Sequence, residues 1–270
     1  MPETVRVRAP GSSANIGPGF DALGIAVSVY CELETSDAKP VGERHPAMAA
    51  FRALGGTGPL SDFGDIPPGR GLGFSGATRV AGAAAAVAQR GGDVVAEREA
   101  IFRTAGDLER HDDNAAASTF GGVTATVEGI VARVPLGHPL QIVAWIPSVE
   151  TSTKKSRTVL PDEIPFVDAV YNIGHTALLL ASLAAGDIDS LCLATKDALH
   201  QDRRLAAVPG SRAALDAFCA ASARGCWVSG SGPTIAGFAT HEESAALAAA
   251  LPDDGHVKVL EIDADGVVQL

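Results

Sequence analysis

Two hydrophobic periods alternate along this chain. Residues 5–7 and 22–34 alternate or run apolar, which predicts strands of an antiparallel sheet. Residues 123–134 read as a hairpin turning at Glu128-Gly129, and 140–146 as a further strand. Helical spacing covers 45–54, 75–89 and 97–109, the last with Ala100, Ile101, Ala105 and Leu108 on one face. A long helix is predicted over 166–185 and a shorter one over 188–199. Another starts at Pro209, where the fixed φ of proline suits the first helical position. Residues 226–229 and 233–238 read as strands paired across Gly230-Ser-Gly232. Residues 241–251 form a helix after Thr240, with Glu243 in the capping-box position. Strands at 257–262 and 267–270 end the chain. Strands and helices mix without regular βαβ alternation, so the expectation is an α+β protein of two lobes, residues 1–147 and 148–270.

Composition narrows the function classes. Of 270 residues, 46% are hydrophobic and 20% charged, the balance of a soluble globular protein. A net charge of −11 leaves no broad basic footprint, which argues against nucleic-acid binding. The longest apolar stretch, 177–185, is far shorter than the roughly 20 residues of a membrane span. Residues 1–8 carry charges and no apolar core, so no secretory signal is read there. Cys31, Cys192, Cys219 and Cys226 form no CxxC pair and read as reduced thiols. The expectation is a cytoplasmic enzyme without membrane partners.

The most informative chemistry lies in a glycine-dense loop, Pro67-Pro-Gly-Arg70-Gly71-Leu72-Gly73-Phe74-Ser75-Gly76-Ala77-Thr78, which opens an Ala-rich helix. Free N–H groups and the helix dipole make such a junction an anion site. The spacing fits G-x-G-x-x-G, but two prolines cannot sit in the buried strand that a dinucleotide unit requires. The Lys-Ser/Thr of a Walker A loop is absent.

The loop is similar to Pro-x-x-x-Gly-Leu-Gly-Ser-Ser-Ala, the phosphate loop of the GHMP kinase superfamily, with Phe74 in place of the first Ser and Gly76 in place of Ala. Five other blocks resemble homoserine kinases in order: Ser12-Ser-Ala-Asn15 to Gly24, His111-Asp-Asp-Asn114 to Gly122, Ser152-Thr153 to Pro161, His200-Gln201 with Arg204 and Pro209-Gly210, and Val228 to Thr234. The resemblance implies an N-terminal lobe like ribosomal protein S5 domain 2 and a ferredoxin-like C-terminal lobe. It implies phosphorylation of L-homoserine with ATP and Mg²⁺, in a homodimer.

Residue roles follow from the same resemblance. Pro67, Arg70, Gly71, Leu72, Gly73, Phe74, Ser75, Gly76 and Ala77 would bind ATP. Ser75 and Glu109 would hold the metal; a longer spacing would place that position on Arg103, which could not. Arg157 and Arg204 would take the substrate carboxylate and Asp21 its ammonium. Asn15, Asn114, Thr153 and His111 would line the substrate site, with Asn15, Asn114 and Arg157 as the catalytic group. An amide at residue 114 implies catalysis by positioning and charge stabilisation. Asp113 is the alternative carboxylate base. Phe74 also motivates two alternatives, a paralogue kinase for another small hydroxylated acceptor and a catalytically inactive binding protein.

Overall fold

The computed structural model describes residues 4–109, 111–149 and 156–270. Two antiparallel sheets organise the described residues. The first contains β1 (Arg6–Ala14), β2 (Leu23–Glu34), β3 (Ser61–Asp62), β4 (Val123–Val127), β5 (Ile130–Val134) and β10 (Val268–Gln269). Its order is β10-β1-β2-β4-β5, with β3 added against β2. The second contains β6 (Gln141–Pro147), β7 (Gly225–Val228), β8 (Ile235–Ala239) and β9 (Gly255–Glu261), in the order β7-β8-β6-β9. The hairpin turns at Glu128 and Gly129, both at positive φ, as the sequence predicts.

The sheets do not divide at residue 147. Strand β6 pairs with β8 and β9, so it belongs to the second sheet. The last strand, β10, returns to the first sheet beside β1. Hydrophobicity alone does not say which sheet β6 joins. Its seven buried residues are satisfied only as an interior strand of the other sheet.

Helices α1 (Pro46–Ala53), α2 (Phe74–Gln89), α3 (Arg98–Glu109) and α4 (Asp112–Phe120) pack around one another beside β1 and β2. The central helix is α2. Residues 76–78 and 80–88 are all buried, so α2 has almost no solvent face. Its alanines let α1, α3, α4, β1 and β2 approach closely. Gly82 is the tightest point: a Cβ there would lie 2.2 Å from the Ala47 carbonyl oxygen of α1. Periodicity does not predict α4, whose Ala-rich, polar sequence lacks a clear apolar stripe.

The helices that follow include α5 (Phe166–Ala185), α6 (Leu191–Ala194), α7 (Gln201–Leu205), α8 (Pro209–Ala220) and α9 (Ser244–Ala249). The predicted helix over 188–199 shrinks to the single turn α6. Beyond it, the Asp197 carboxylate accepts the backbone N–H groups of Leu199, His200 and Gln201 at 2.8–3.1 Å and organises a turn instead. Helix α5 is long and apolar enough to cross a membrane by length and composition alone. It buries Asn172, Leu179, Ser182 and Leu183, and the Asn172 amide bonds to Asp197 and to the Pro18 carbonyl. Its other face, with Phe166, Val167 and Ile173, is exposed.

Gly82→Ala tests the close approach of α1 and α2. Helix propensity alone favours Ala by about 1 kcal/mol. The clash with a backbone oxygen should win, lowering stability by about 1–3 kcal/mol. A melting temperature at or above wild type would refute this packing account.

Candidate active site

The glycine loop and the start of α2 form one wall. Gly73 is the N-cap residue and adopts the left-handed conformation at φ 69°. A Cβ there would lie 2.0 Å from Ser12 Oγ, so only glycine lets the loop lie against β1. Ser12 N–H donates to the Leu72 carbonyl at 3.1 Å, and the Leu72 side chain is fully buried. The Gly71 carbonyl accepts the Ser229 hydroxyl at 2.6 Å. Ser229 Oγ also bonds to Ser13 Oγ at 2.7 Å, and Trp227 Nε1 donates to that Ser13 oxygen at 2.9 Å. The loop is therefore fastened to both sheets. The first N–H groups of α2 have no acceptor within the helix.

Phe74 does not face this wall. Its side chain packs on the core and meets His45 edge-on, with ring centroids 5.8 Å apart. Only its backbone remains at the helix start. Gly76 also has a structural reason: a Cβ there would lie 3.0 Å from Asn114 Cβ. Glycine lets the first turn of α4 approach the first turn of α2. Pro67 and Arg70 are half-buried at the entrance to the loop.

A charged cluster is tied to the same C-terminal loop through the Gly230 carbonyl. Arg157 Nη2 donates to Asp21 Oδ1 at 2.6 Å and Oδ2 at 2.8 Å, and lies 3.2 Å from His111 Nδ1. Arg204 Nη1 donates to the Gly230 carbonyl at 2.8 Å and lies 3.2 Å from His200 Nδ1. Both guanidinium groups flank the Phe20 ring, at 5.5 and 5.2 Å. His200 Nε2 lies 2.8 Å from the Gly17 carbonyl, so this nitrogen carries the proton and donates. Burial lowers the pKa of His200, as it does that of His111 beside Arg157. Each neutral ring can then accept from the neighbouring arginine. Burial and the nearby Arg157 pull Arg204 down to about 10, which leaves it charged at neutral pH. Among the described residues, the buried Nε atoms of Arg157 and Arg204 have no hydrogen-bond partner. They are unfilled donors suited to an anion.

The two asparagines are engaged internally. Asn15 Nδ2 donates to the Gly230 carbonyl at 2.8 Å, and its Oδ1 accepts Asp21 N–H at 3.0 Å. Buried at positive φ, Asn15 joins the first loop to the C-terminal loop and presents Asp21. Asn114 Oδ1 accepts the Ser12 hydroxyl at 2.9 Å, and its Nδ2 donates to Asp113 Oδ1 at 3.1 Å. That leaves the second Nδ2 hydrogen of Asn114 as its further donor. Thr153 lies outside the described residues.

The expected metal pair comes together in an altered form. Ser75 Oγ donates to Glu109 Oε2 at 2.7 Å, but Arg79 Nη1 bonds to both oxygens. A divalent cation would need the same oxygens, so with Arg79 in place the pair does not fit a metal. Arg103 turns outward and pairs with Glu99 at 2.7 Å. Arg79 is the residue that the sequence reading leaves out of the site; Ser12, His200 and Ser229 lie within the resembling blocks but carry no individual role there. For Arg79 the available signal was its i, i+4 spacing from Ser75 on a predicted helix.

Asp113 is buried, and its pKa is raised to about 7, first by burial and then by the charge of Asp21. Its folded value exceeds its ordinary 3.8, so the folded state holds the proton more tightly. The cost of ionising it is therefore fully present above about pH 7 and is relieved as the pH falls toward 4. Asp113→Asn keeps an acceptor for Asn114. It should raise the melting temperature at about pH 8 and do so less at about pH 5. An equal shift at both pH values would remove the buried carboxylate as the cause.

Comparison with known proteins places this geometry. Residues 47–122 match the GHMP kinases N terminal domain and residues 179–257 the GHMP kinases C terminal model. A homoserine kinase of Thermus thermophilus is 37% identical, with 95% of this chain and 96% of that protein covered. One from Desulfitobacterium hafniense is 34% identical, over 97% and 98%. The crystal structure of a homoserine kinase from Cytophaga hutchinsonii superposes with a TM-score of 0.88 at 26% identity, covering 100% of this chain and 98% of that one. Near-complete coverage at these identities, in both lobes and in order, means that the chain belongs to the homoserine kinase family of the GHMP kinases.

Proposed function

We propose that this protein transfers the terminal phosphoryl group of ATP to the side-chain hydroxyl of homoserine, giving ADP and O-phosphohomoserine. The observation that carries this reading is the Asp21–Arg157 pair beside Arg204, tied through the Gly230 carbonyl to the C-terminal loop, whose Ser229 holds Gly71 of the glycine loop before the uncapped start of α2. A zwitterionic amino acid brings a carboxylate and an ammonium. It can exchange the single Arg157–Asp21 pair for two, carboxylate to Arg157 and Arg204, ammonium to Asp21. The Nε donors of the arginines gain an acceptor in the exchange.

The side-chain hydroxyl then points toward α2. The triphosphate lies on the N–H groups of residues 74–76, where the helix dipole favours negative charge; the Ala77 N–H already donates to the Gly73 carbonyl at 2.9 Å. Asn114 stands between the two, with its amide oriented by Ser12 and Asp113. It holds the hydroxyl oxygen in line with the terminal phosphorus. As the new O–P bond forms, the bond to the ADP oxygen breaks, ADP leaves, and the hydroxyl proton passes to solvent. Such a transfer is loose and asks little of a base, so positioning supplies most of the effect. Asn15 and His200 act through others, Asn15 by presenting Asp21 and His200 by orienting Arg204. Phe74 motivated a different acceptor or an inactive protein. With its ring packed against the core and away from the loop's N–H groups, Phe74 lends neither alternative support.

Purified protein given ATP, magnesium ions and L-homoserine should release ADP and yield a phosphomonoester detectable by ³¹P NMR. No ADP release would sink the proposal. Arg204→Met should raise KM for homoserine by roughly 10–100-fold, the worth of a lost charged hydrogen bond, and leave KM for ATP within about two-fold. Equal effects on both substrates would place Arg204 outside the amino-acid site.

A further inference from the structure

Ser75 and Arg79 lie four residues apart on α2 and share one face of that helix. Glu109, at the end of α3, meets this face. Its Oε2 accepts the Ser75 hydroxyl at 2.7 Å. Arg79 Nη1 bonds to the same Oε2 and to Ser75 Oγ, and reaches the Ser75 carbonyl at 3.3 Å. The Arg79 and Glu109 side chains are 20% and 14% exposed. The guanidinium nitrogen thus occupies the point between two oxygens where a hard cation would be held. Arginine does not lose its proton in proteins, so this positive charge is permanent. A divalent ion entering the same corner would meet a like charge at contact distance with little water to screen it. Glu109 needs a cationic partner at that depth, and the chain itself supplies one.

We propose that Arg79 takes the place of a protein-held metal in this corner. Glu109 and Ser75 hold a guanidinium, which closes the site to divalent cations and sets a fixed positive charge beside the phosphate-binding turn. Glu109 is then a positioning residue for Arg79. The second half of this inference rests on the kinase reading of α2. The first half does not, because it concerns the protein without nucleotide.

The test is Mn²⁺ binding to the intact, nucleotide-free protein, followed by electron paramagnetic resonance of free Mn²⁺. Wild type should show no site that Glu109→Gln removes. Arg79→Gln, which keeps the length but not the charge, should bind one Mn²⁺ per chain at least roughly ten-fold more tightly than wild type. Arg79→Gln/Glu109→Gln should lose that site, and Arg79→Lys should stay closed. A wild-type site abolished by Glu109→Gln alone would overturn the proposal, and this comparison needs no change at Arg79. So would an Arg79→Gln protein that melts cooperatively yet gains no site. ATP affinity measured by calorimetry in excess chelator gives the second readout. Arg79→Gln should weaken metal-free ATP at least roughly ten-fold relative to wild type. Equal metal-free affinities would overturn the phosphate-facing half while leaving both the metal exclusion and the kinase reading standing.

Discussion

The structure depends on one helix end that must stay open while the rest of the helix is buried. Uncapped N–H groups at the start of a helix are costly unless a ligand or water satisfies them. Here α2 is enclosed along its length, so its start cannot drift to find partners. The loop before it is held on both sides, by β1 through Ser12 and Leu72 and by the C-terminal loop through Ser229 and Gly71. The Trp227–Ser13–Ser229 chain carries that restraint between the sheets. A preorganised set of donors results, and no side-chain cap has to be displaced.

The charged cluster follows a second constraint. Two arginines this close repel; Asp21, bonded to Arg157, offsets that first, and Asp197 and Asp113 add to it. The histidines beside them would add to the repulsion if protonated. Burial keeps both neutral, and each turns a lone pair toward a guanidinium. The Asp197 turn fixes the backbone of His200, and Gly17 fixes its ring. Arg204 is therefore aimed by a chain that starts at Asn172 on α5. This explains why the long apolar helix carries a buried asparagine.

Much of this was legible in the residues, and the failures are instructive. Glycines at positive φ, the Pro209 helix start and the Glu128-Gly129 hairpin express local rules, and the sequence carries them directly. The partnership of β6 with β8 and β9 is non-local, and nothing in its apolar run names its sheet. Polar clusters were recognised as a set, but their internal bonding was not. Asn15 and Asn114 read as amides awaiting a hydroxyl, yet most of their bonding capacity is spent on loops and on Asp113. Sequence reveals which groups converge. It does not reveal which of them satisfy one another first.

The departures at the start of α2 share a geometric cause. Successive helical residues are separated by about 100°, so the side chains of residues 74, 75 and 76 leave the axis in three directions. Phe74 meets His45 and the core, Ser75 meets Glu109, and Gly76 meets Asn114. Arg79 falls on the Ser75 side and shares its partner. A phosphate at the helix end is approached along the axis by backbone N–H groups, whatever these radial side chains do. Aromatic bulk at residue 74 is thus compatible with an anion site, because ring and anion occupy different directions. The residue with electrostatic consequence is Arg79, one turn inside the loop motif. It brings a permanent charge into the sector that Ser75 and Glu109 define.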